Sequence, residues 1–312
     1  MINPWRFDTA RNESLKLVPE DANILVSTDL DEILEPGWAD ALRQKWVEGV
    51  HTRAMYKYAW SHYEDGTPAR IFQYNKVHSR NWIWNFPVHE CLVHVDDQLN
   101  SLYSAIEELD LFNEMYLHHY PDRTKSRSSY LSLLELRKSE YPTDYYGKIY
   151  LAHEYYYQGL YEKSIAELQE ILDNYSEHYS SVEHASCYLF MGDSYKSLGD
   201  HAAAISAYQT AILVDNTYRE PYVNLAIILN ELGYYNQTIG VLKDCMAKTY
   251  RHYTWLERDT SWTHDVYDAL AIAYYYLEDY NNSYINIQKA LHYCKDDARL
   301  FVNLQFIEEK IF

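Results

Sequence analysis

The chain of 312 residues has no long apolar run and contains only 4 cysteines, 9 glycines and 8 prolines. No apolar run approaches the ~18 residues that a membrane-spanning helix needs, so none is expected. The cysteines are far apart and form no Cys-x-x-Cys pair, which argues against a zinc site or a disulfide scaffold. The N-terminus shows no basic region followed by an apolar core. We therefore expect no signal peptide and a cytoplasmic location.

Basic residues are also scarce, with 27 Lys and Arg against 46 Asp and Glu and a net charge of −19. A basic footprint is needed to hold phosphate backbones, so a nucleic-acid partner is not expected. The apolar fraction of 47% and the length of the chain are sufficient for two domains with their own cores. The 34 tyrosines are an unusual excess; many of them lie in the second half of the chain, where Tyr is a normal packing residue, and the count is no argument for carbohydrate binding.

The most informative segment is an apolar run at residues 24–26 that leads into Asp29 and Asp31. The run predicts a buried strand of an α/β sheet, and ligands bind at the ends of such strands. Two carboxylates held close together require a positive charge, for which a divalent ion carrying phosphate oxygens is suited. The alternative is that one Asp caps the next helix while the other is solvated.

Other motifs follow in order along the first third of the chain. Residues 7–15 contain the sequence Ala-Arg-Asn in a predicted helix, and a second helix is predicted to open at residues 35–38, with its proline near the first turn. An Arg-Ile-Phe element begins at Arg70, and Val-His-Glu ends at Glu90. Together with the Asp-x-Asp-Glu segment, this order resembles the family-two glycosyltransferases of the GT-A fold.

The resemblance implies that residues 1–120 form an α/β partial GT-A domain. It implies that Asp29 and Asp31 hold Mn²⁺ or Mg²⁺ on the diphosphate of a nucleotide-sugar donor. The expected donor is a UDP-sugar. His89 would be a further metal ligand, since imidazole also suits manganese. Glu90 would be the general base that takes the proton of the acceptor.

Donor binding would involve Arg70 together with Asp29. Each role has a plainer alternative. Arg70 could be an arginine on an edge strand, and His89 with Glu90 could be a structural pair at a strand end. Trp82 and Trp84 alternate and so share one strand face, where they would either stack on a sugar or pack in a core.

The chain departs from the family in what precedes the motif. Only 28 residues stand before Asp29, whereas the resemblance implies several β-α units that bind the base and ribose. We therefore expect little sugar transfer by this chain alone. We also expect residues 1–120 to pair with a second copy, with the repeats or with a separate N-terminal fragment, because exposed sheet edges invite pairing.

The second half predicts an all-α tetratricopeptide-repeat solenoid over residues 145–312. Gly199 and Gly233 are spaced by 233 − 199 = 34 residues, the length of that repeat. Gly159 precedes by 40 residues, with the excess at residues 176–182, and Glu278 with Asp279 replaces the turn glycine in a last unit. Residues 298–312 predict a closing helix. A different helical bundle is the alternative.

Residues 121–144 are predicted to be a helical connector, with one helix over residues 122–140 that Pro142 terminates. His118 and His119 precede it and would either approach the cleft or make plain polar contacts.

Two function classes follow. One is a metal-dependent glycosyltransferase acting on a protein, peptide or glycan, or a truncated form of such an enzyme. The other is a non-catalytic repeat module that binds a protein or peptide and carries a remnant glycosyltransferase domain.

Overall fold

The structure, a computed structural model, describes residues 5–63, 65–96, 108–122, 124, 128–175 and 179–312. The chain forms two compact units. The first comprises residues 1–147 with 253–255, and the second comprises residues 148–252 with 256–312. The segment predicted to be a separate connector thus belongs to the first unit. In the part described, no helix is long and apolar enough to cross a bilayer.

The first unit is built on strands. Its elements in chain order are α1 (Phe7–Leu15), β1 (Leu25–Val26), β2 (Glu32–Leu34), α2 (Trp38–Lys45), β3 (Arg53–His62), β4 (Pro68–His78), β5 (Trp82–Asn85), β6 (Cys91–His94), β7 (Glu108–His119) and α3 (Tyr130–Glu140). Strands β5 and β6 form an antiparallel pair of their own.

The larger sheet has five strands in the order β1-β4-β3-β7-β2. Only the β3–β7 pair is parallel, and the other pairs within this sheet are antiparallel. Strands β1 and β2 are therefore at opposite edges, with Leu25 opposite His78 and Glu32 opposite His119. The segment that carries Asp29 and Asp31 connects one edge of the sheet to the other.

The strand before the Asp-x-Asp segment differs from the prediction. It has two residues, pairs on one side only, and is a sheet edge rather than a fully buried strand. The segment leads into another short strand, β2, so neither Asp caps a following helix. Helix α2 begins at Trp38 after the N-cap Gly37, so the proline lies just before its first turn, close to the predicted position.

The core of the first unit lies on the faces of β3, β4 and β7. Tyr56, Tyr58, Leu111 and Leu117 are almost fully buried there, and Leu42 of α2 packs against them. Rings of this size remove much apolar surface from water and contribute strongly to stability. The core therefore fixes the strand ends that hold the predicted site.

Helices are the regular elements of the second unit in the residues described, and no helix covers residues 248–258. After α4 (Tyr145–Tyr157), which starts at the unit boundary, come α5 (Tyr161–Asn174), α6 (Ser181–Ser197), α7 (His201–Val214), α8 (Glu220–Glu231), α9 (Tyr235–Met246), a 3₁₀ helix (Asp259–Trp262), α10 (His264–Tyr276), α11 (Tyr280–Tyr293) and α12 (Ala298–Ile311). Helix α12 is the closing helix that the sequence predicts.

The second unit contains helix pairs, each of which is one repeat. The predicted turns lie between the two helices of each repeat. Gly159, Gly199 and Gly233 have left-handed backbones, with φ of 74°, 82° and 81°, and Glu278 adopts the same region with φ of 63°. In each turn the next residue donates its N–H to the carbonyl five residues earlier, at 2.8 to 3.0 Å. This bond closes a helix end that requires the left-handed residue. The turn prediction is confirmed, including that of the last repeat, in which Glu278 replaces the turn glycine.

The two helices of each repeat meet at a pair of small residues. Seven residues before each turn stand Ala152, Gly192, Ala226 and Ala271; five residues after it stand Ser164, Ala204, Thr238 and Ser283. In three repeats a hydroxyl donates to the facing backbone carbonyl. The pairs are Ser164 to Ala152, Thr238 to Ala226 and Ser283 to Ala271, at 2.8, 3.4 and 2.8 Å. In the remaining repeat these two positions are Gly192 and Ala204, and Ala204 is fully buried.

Two boundaries differ from the predictions. The connector helix begins at Tyr130, eight residues after the predicted start, although it ends at Glu140 before Pro142 as predicted. Residues 123 and 125–127 of the predicted helix lie outside the described residues. So do residues 176–178 of the predicted excess between the first two units; helix α6 then begins at Ser181, with a capping box between Ser180 and Glu183.

Candidate functional sites

A cluster of charged side chains surrounds Arg11 of helix α1 in the first unit. Its Nε donates to Glu90 at 2.5 Å, and its Nη2 donates to Asp29 at 2.8 and 3.1 Å. The guanidinium lies 4.7 Å from the ring centre of Trp84. Asn12 holds the helix in place by exchanging two hydrogen bonds with the backbone of Trp84. Two of the predicted site carboxylates thus share one arginine.

Lys76 of strand β4 is the second cation of the cluster. Its Nζ contacts Asp29 at 2.9 Å and Glu32 at 2.6 Å. Glu32 also accepts a hydrogen bond from the Tyr58 hydroxyl at 2.9 Å and another from the backbone N–H of Asp29 at 2.8 Å. The side chain of Glu32 is completely buried, which only a fully paired carboxylate tolerates.

Asp29 is the exposed member of the cluster, with 42% of its side chain accessible. Burial alone would raise the pKa of Asp29, but Lys76 and Arg11 outweigh that effect and hold the pKa below its usual value. Burial and the neighbouring Glu32 raise the pKa of Tyr58, which keeps this hydroxyl a donor. The cluster is a fixed arrangement of three carboxylates and two cations.

Asp31 lies with a different group of side chains. Its carboxylate is 3.8 Å from Nε2 of His119, at the end of β7. The neighbouring His118 bridges two residues, contacting His62 at 2.9 Å and Glu35 at 2.9 Å. Both histidines therefore belong to a strand of the sheet rather than to a linker. Their contacts are polar and aromatic.

His89 and Arg70 occupy other positions. His89 has a left-handed backbone with φ of 48°, and its ring lies edge-on to Tyr130 at 5.7 Å. Its carbonyl accepts a hydrogen bond from Arg137 at 2.8 Å. Arg70 is a partly exposed residue of β4 and pairs in register with Ser61. These positions give the predicted roles of His89 and Arg70 no support, and both roles stay predictions.

The donor set can be compared with the needs of a divalent cation. Carboxylates are the right ligand type, but Asp29 already contacts two organic cations, and Asp31 and His89 contact other partners. Among the residues described, no three His, Cys, Asp or Glu side chains have a geometry that could hold a metal ion. The arrangement as it stands does not fit a metal held by Asp29, Asp31 and His89, and that site stays a prediction.

Trp82 and Trp84 do share one strand face, as predicted, and both are buried. They pack with Leu92 of β6, and Arg53 lies 4.5 Å from the Trp82 ring centre. Buried rings sandwiched in this way serve packing. Sequence reasoning gave no role to Arg11 and Lys76, although Arg11 is in the Ala-Arg-Asn motif; Lys76 lies among other polar residues at the end of β4 and carries no local signal.

The second unit contains a cavity of about 330 Å³. It is lined by the first helices of three successive repeats, by Tyr208 of α7 and by one residue of the segment before α10: Tyr156, Asp193, Lys196, Ser197, Tyr208, Asn224, Ile227 and Arg258. Most of these residues come from α4, α6 and α8, which makes this a surface built by the repeat rather than by one helix.

Asp193 is the anchor of this cavity. It is almost fully buried and accepts hydrogen bonds from the Tyr208 hydroxyl at 2.8 Å and from Asn224 at 2.6 Å. Burial raises the pKa of Asp193, against the opposing effect of Arg258. The Arg258 guanidinium lies 3.9 Å from Asp193, beyond hydrogen-bond distance, and is one-third exposed.

A second cavity, of about 470 Å³, lies between α10 and α12. Its lining is mostly apolar: Ala271, Ile272, Tyr275, Tyr276, Arg299, Asn303, Phe306 and Ile307. Tyr276 and Phe306 are each more than half exposed. Apolar side chains of this size on an open surface are typical of an interaction site.

Comparisons with known proteins concern the second unit. Residues 185–218 match the tetratricopeptide repeat family model. Similar structures include a thermophilic TPR protein of Thermus thermophilus, at 18% identity over 58% of this chain and 90% of that chain (TM-score 0.45). Another is the C-terminal part of a TPR repeat-containing protein of Cytophaga hutchinsonii, at 15% identity over 59% and 66% (TM-score 0.46).

A third is MamA of Desulfovibrio magneticus RS-1, at 15% identity over 54% of this chain and 85% of that chain (TM-score 0.43). The comparison with curated proteins found no match. The family match and the repeated left-handed turns carry the assignment: the C-terminal part of the chain is a helical solenoid of tetratricopeptide repeats.

Proposed function

We propose that the chain is a protein-binding module whose repeats hold a segment of a partner protein. The observation that supports this most directly is the cavity formed by α4, α6 and α8, in which an arginine, a lysine, an amide and two tyrosines converge. The lining is mostly polar, with Ile227 and the rings of the two tyrosines as its apolar part, and such a set of placed polar groups can orient a bound segment. Stacked repeats generally present extended surfaces of this kind to proteins.

The test is peptide-display selection with the full chain as bait, followed by affinity measurements on the selected peptides. Replacing Tyr156, which lines the cavity, with Ala should weaken the selected peptides by about tenfold, the loss of about 1.4 kcal/mol. Tyr234→Ala is the matched control, because Tyr234 is exposed in a turn outside both cavities. Selection of nothing above background, or equal affinity for both variants, would contradict the proposal.

A second candidate is glycosyl transfer from a nucleotide-sugar, in which the first unit is the acceptor-side part of a GT-A glycosyltransferase spanning residues 1–120. It is favoured by the way Asp29 and Glu90 converge on Arg11. For Mn²⁺ or Mg²⁺ to bind with Asp31 and His89, Asp29 would have to exchange its two organic cations for the metal. Glu90 would have to leave Arg11 to act as a base.

The test of this candidate is calorimetry of UDP binding in the presence and absence of Mn²⁺. Manganese-dependent binding that is lost in Asp31→Ala, and kept in Asp21→Ala at an exposed position outside the cluster, would support it. If UDP does not bind under either condition, the first unit is better described as a non-catalytic remnant in this chain.

A further inference from the structure

The two cavities of the second unit lie at equivalent positions of different repeats, with the repeat that turns at Gly233 between them. Positions are counted back from the left-handed turn residue of each repeat. Position −6 is Asp193 in the repeat that turns at Gly199 (199 − 193) and Ile272 in the last repeat (278 − 272). Position −3 is Lys196 (199 − 196) and Tyr275 (278 − 275). Residues at the same position of successive repeats share one face, because the repeats stack regularly.

From this register we infer that the two cavities are parts of one groove, which binds an extended segment carrying an acidic side chain at one point and a large apolar side chain at another. The inference rests on the proposed function and adds the chemistry of the ligand. It assigns the acidic side chain to the cavity at Arg258 and the apolar side chain to the cavity between α10 and α12.

The chemistry of the first cavity selects a carboxylate. Within the described residues the Arg258 guanidinium forms an ion pair with Asp193 at 3.9 Å but donates no hydrogen bond, so its planar pair of N–H groups can still donate to a ligand carboxylate. Lys196 lines the same space, although it contacts Glu231 at 2.8 Å. Asp193 is already engaged by Tyr208 and Asn224. A guanidinium and a carboxylate pair in a two-bond geometry, which a neutral amide cannot reproduce with the same strength.

The chemistry of the second cavity selects an apolar side chain. Ile272, Tyr275, Tyr276 and Phe306 are large side chains of its lining. The charged residue at its edge, Arg299, contacts Asp268 at 2.8 Å. An aromatic or long aliphatic side chain would cover the exposed rings of Tyr276 and Phe306 and remove them from water.

The spacing of the two side chains follows from the repeat. The first cavity is centred on α6 and α8 and the second on α10 and α12, which is a shift of two positions in the series α6, α8, α10, α12. Packed helices are separated by roughly 8 to 10 Å, so the distance is about 20 Å. An extended chain rises about 3.3 Å per residue, which separates the acidic and apolar side chains by about six residues.

The experiment is the same display selection, now read for sequence. Peptides selected on the full chain should be enriched in Asp or Glu at one position and in Phe, Tyr, Trp, Leu or Ile about six residues away. Selection on Arg258→Gln should lose the acidic preference alone, and selection on Phe306→Ser should lose the apolar preference alone. On the unmodified chain, changing the Asp of a selected peptide to Asn should lower its affinity at least tenfold. On the Arg258→Gln variant the same peptide change should leave the affinity unaltered.

Two variants keep this test decisive. Arg258→Lys retains the charge without the planar fork and should recover only part of the acidic preference. Lys289→Gln, on the exposed surface of α11, should leave both preferences intact. Selected peptides that bind through Tyr156 but show no acidic preference would overturn the inference while the proposed function stands. Selection of no peptides would remove both.

Discussion

At the scale of single residues, the first unit is organised around buried charges that compensate one another. Lys76 is 3% exposed and Glu32 is completely buried, so their contact at 2.6 Å is shielded from water. Such a pair adds little compared with apolar residues of the same size, but breaking it by removing one partner is costly. The cluster therefore makes the unit sensitive to substitutions that an exposed ion pair tolerates.

Lys76→Met should lower the free energy of unfolding by about 3 to 5 kcal/mol, because it leaves the Glu32 carboxylate buried without its cation. Adding Glu32→Gln should recover a large part of the loss, since the amide oxygen still accepts from Tyr58. Arg43→Met, at a surface pair, should change stability by less than about 1 kcal/mol. Urea unfolding measures all three, and equal effects of the Lys76 and Arg43 changes would contradict the prediction.

A second residue-scale prediction concerns Glu220, at the start of α8. Burial raises the pKa of Glu220 to about 8, against the effect of the Arg258 backbone N–H that donates to it. The folded state then binds a proton more tightly than the unfolded state. Stability from this group is fully present below the ordinary carboxyl range and is lost as the pH rises toward 8, by up to about 1.4 kcal/mol per pH unit.

Glu220→Gln should remove that slope, because the amide keeps the accepting oxygen and does not titrate. Unfolding free energies at pH 5.5 and 7.5 should differ less in this variant than in the unmodified protein. Glu231→Gln, at an exposed carboxylate, should retain the original slope. An unchanged slope in Glu220→Gln would show that other groups cause the pH dependence.

At the scale of elements, the second unit repeats one helix pair with its own close contact. Small residues seven before and five after each turn bring the two helices together, as at Gly192 and Ala204. A side chain at Gly192 would run into the ring of Tyr208, which passes directly over it. The requirement for small residues at both positions explains why the repeat is visible in the sequence.

Ala204→Leu should lower the free energy of unfolding by about 1 to 3 kcal/mol, since it overpacks a contact between α6 and α7. Ala204→Ser should be tolerated, because Ser164 and Ser283 occupy the same position in other units and donate to the facing helix. Thermal unfolding of both variants is the measurement. An unchanged melting temperature for Ala204→Leu would place this residue outside the contact.

The sequence allows the elements of the second unit to be predicted better than the contacts of the first. A left-handed turn requires a residue that tolerates positive φ, so Gly159, Gly199 and Gly233 mark the turns locally. The partners of Asp29 cannot be found in this way, since Arg11 is 18 residues before it and Lys76 is 47 residues after it. The alternation of Trp82 and Trp84 was visible, but only packing showed that both are buried.

At the scale of the whole molecule, each unit has a core of its own, one formed by sheet faces and one by helix pairs. The edges of the larger sheet are strands of two and three residues. Short edge strands offer few unpaired backbone groups to another chain. The predicted pairing of the first unit with a second copy or a separate fragment therefore depends on surfaces other than long strand edges, and it stays a prediction.

The same organisation bears on catalysis by the chain as a whole. Asp29 and Glu90 are both held by Arg11, and a transfer reaction needs its acid, base and donor-binding groups placed together around the substrate. We expect negligible UDP release when the full chain is incubated with UDP-sugars and Mn²⁺. Arg11→Ala should not increase the rate, because freeing the two carboxylates does not by itself position a donor. Robust turnover of a UDP-sugar that is abolished in Asp31→Ala and unchanged in Asp21→Ala would prove this expectation wrong and make the first unit an active glycosyltransferase.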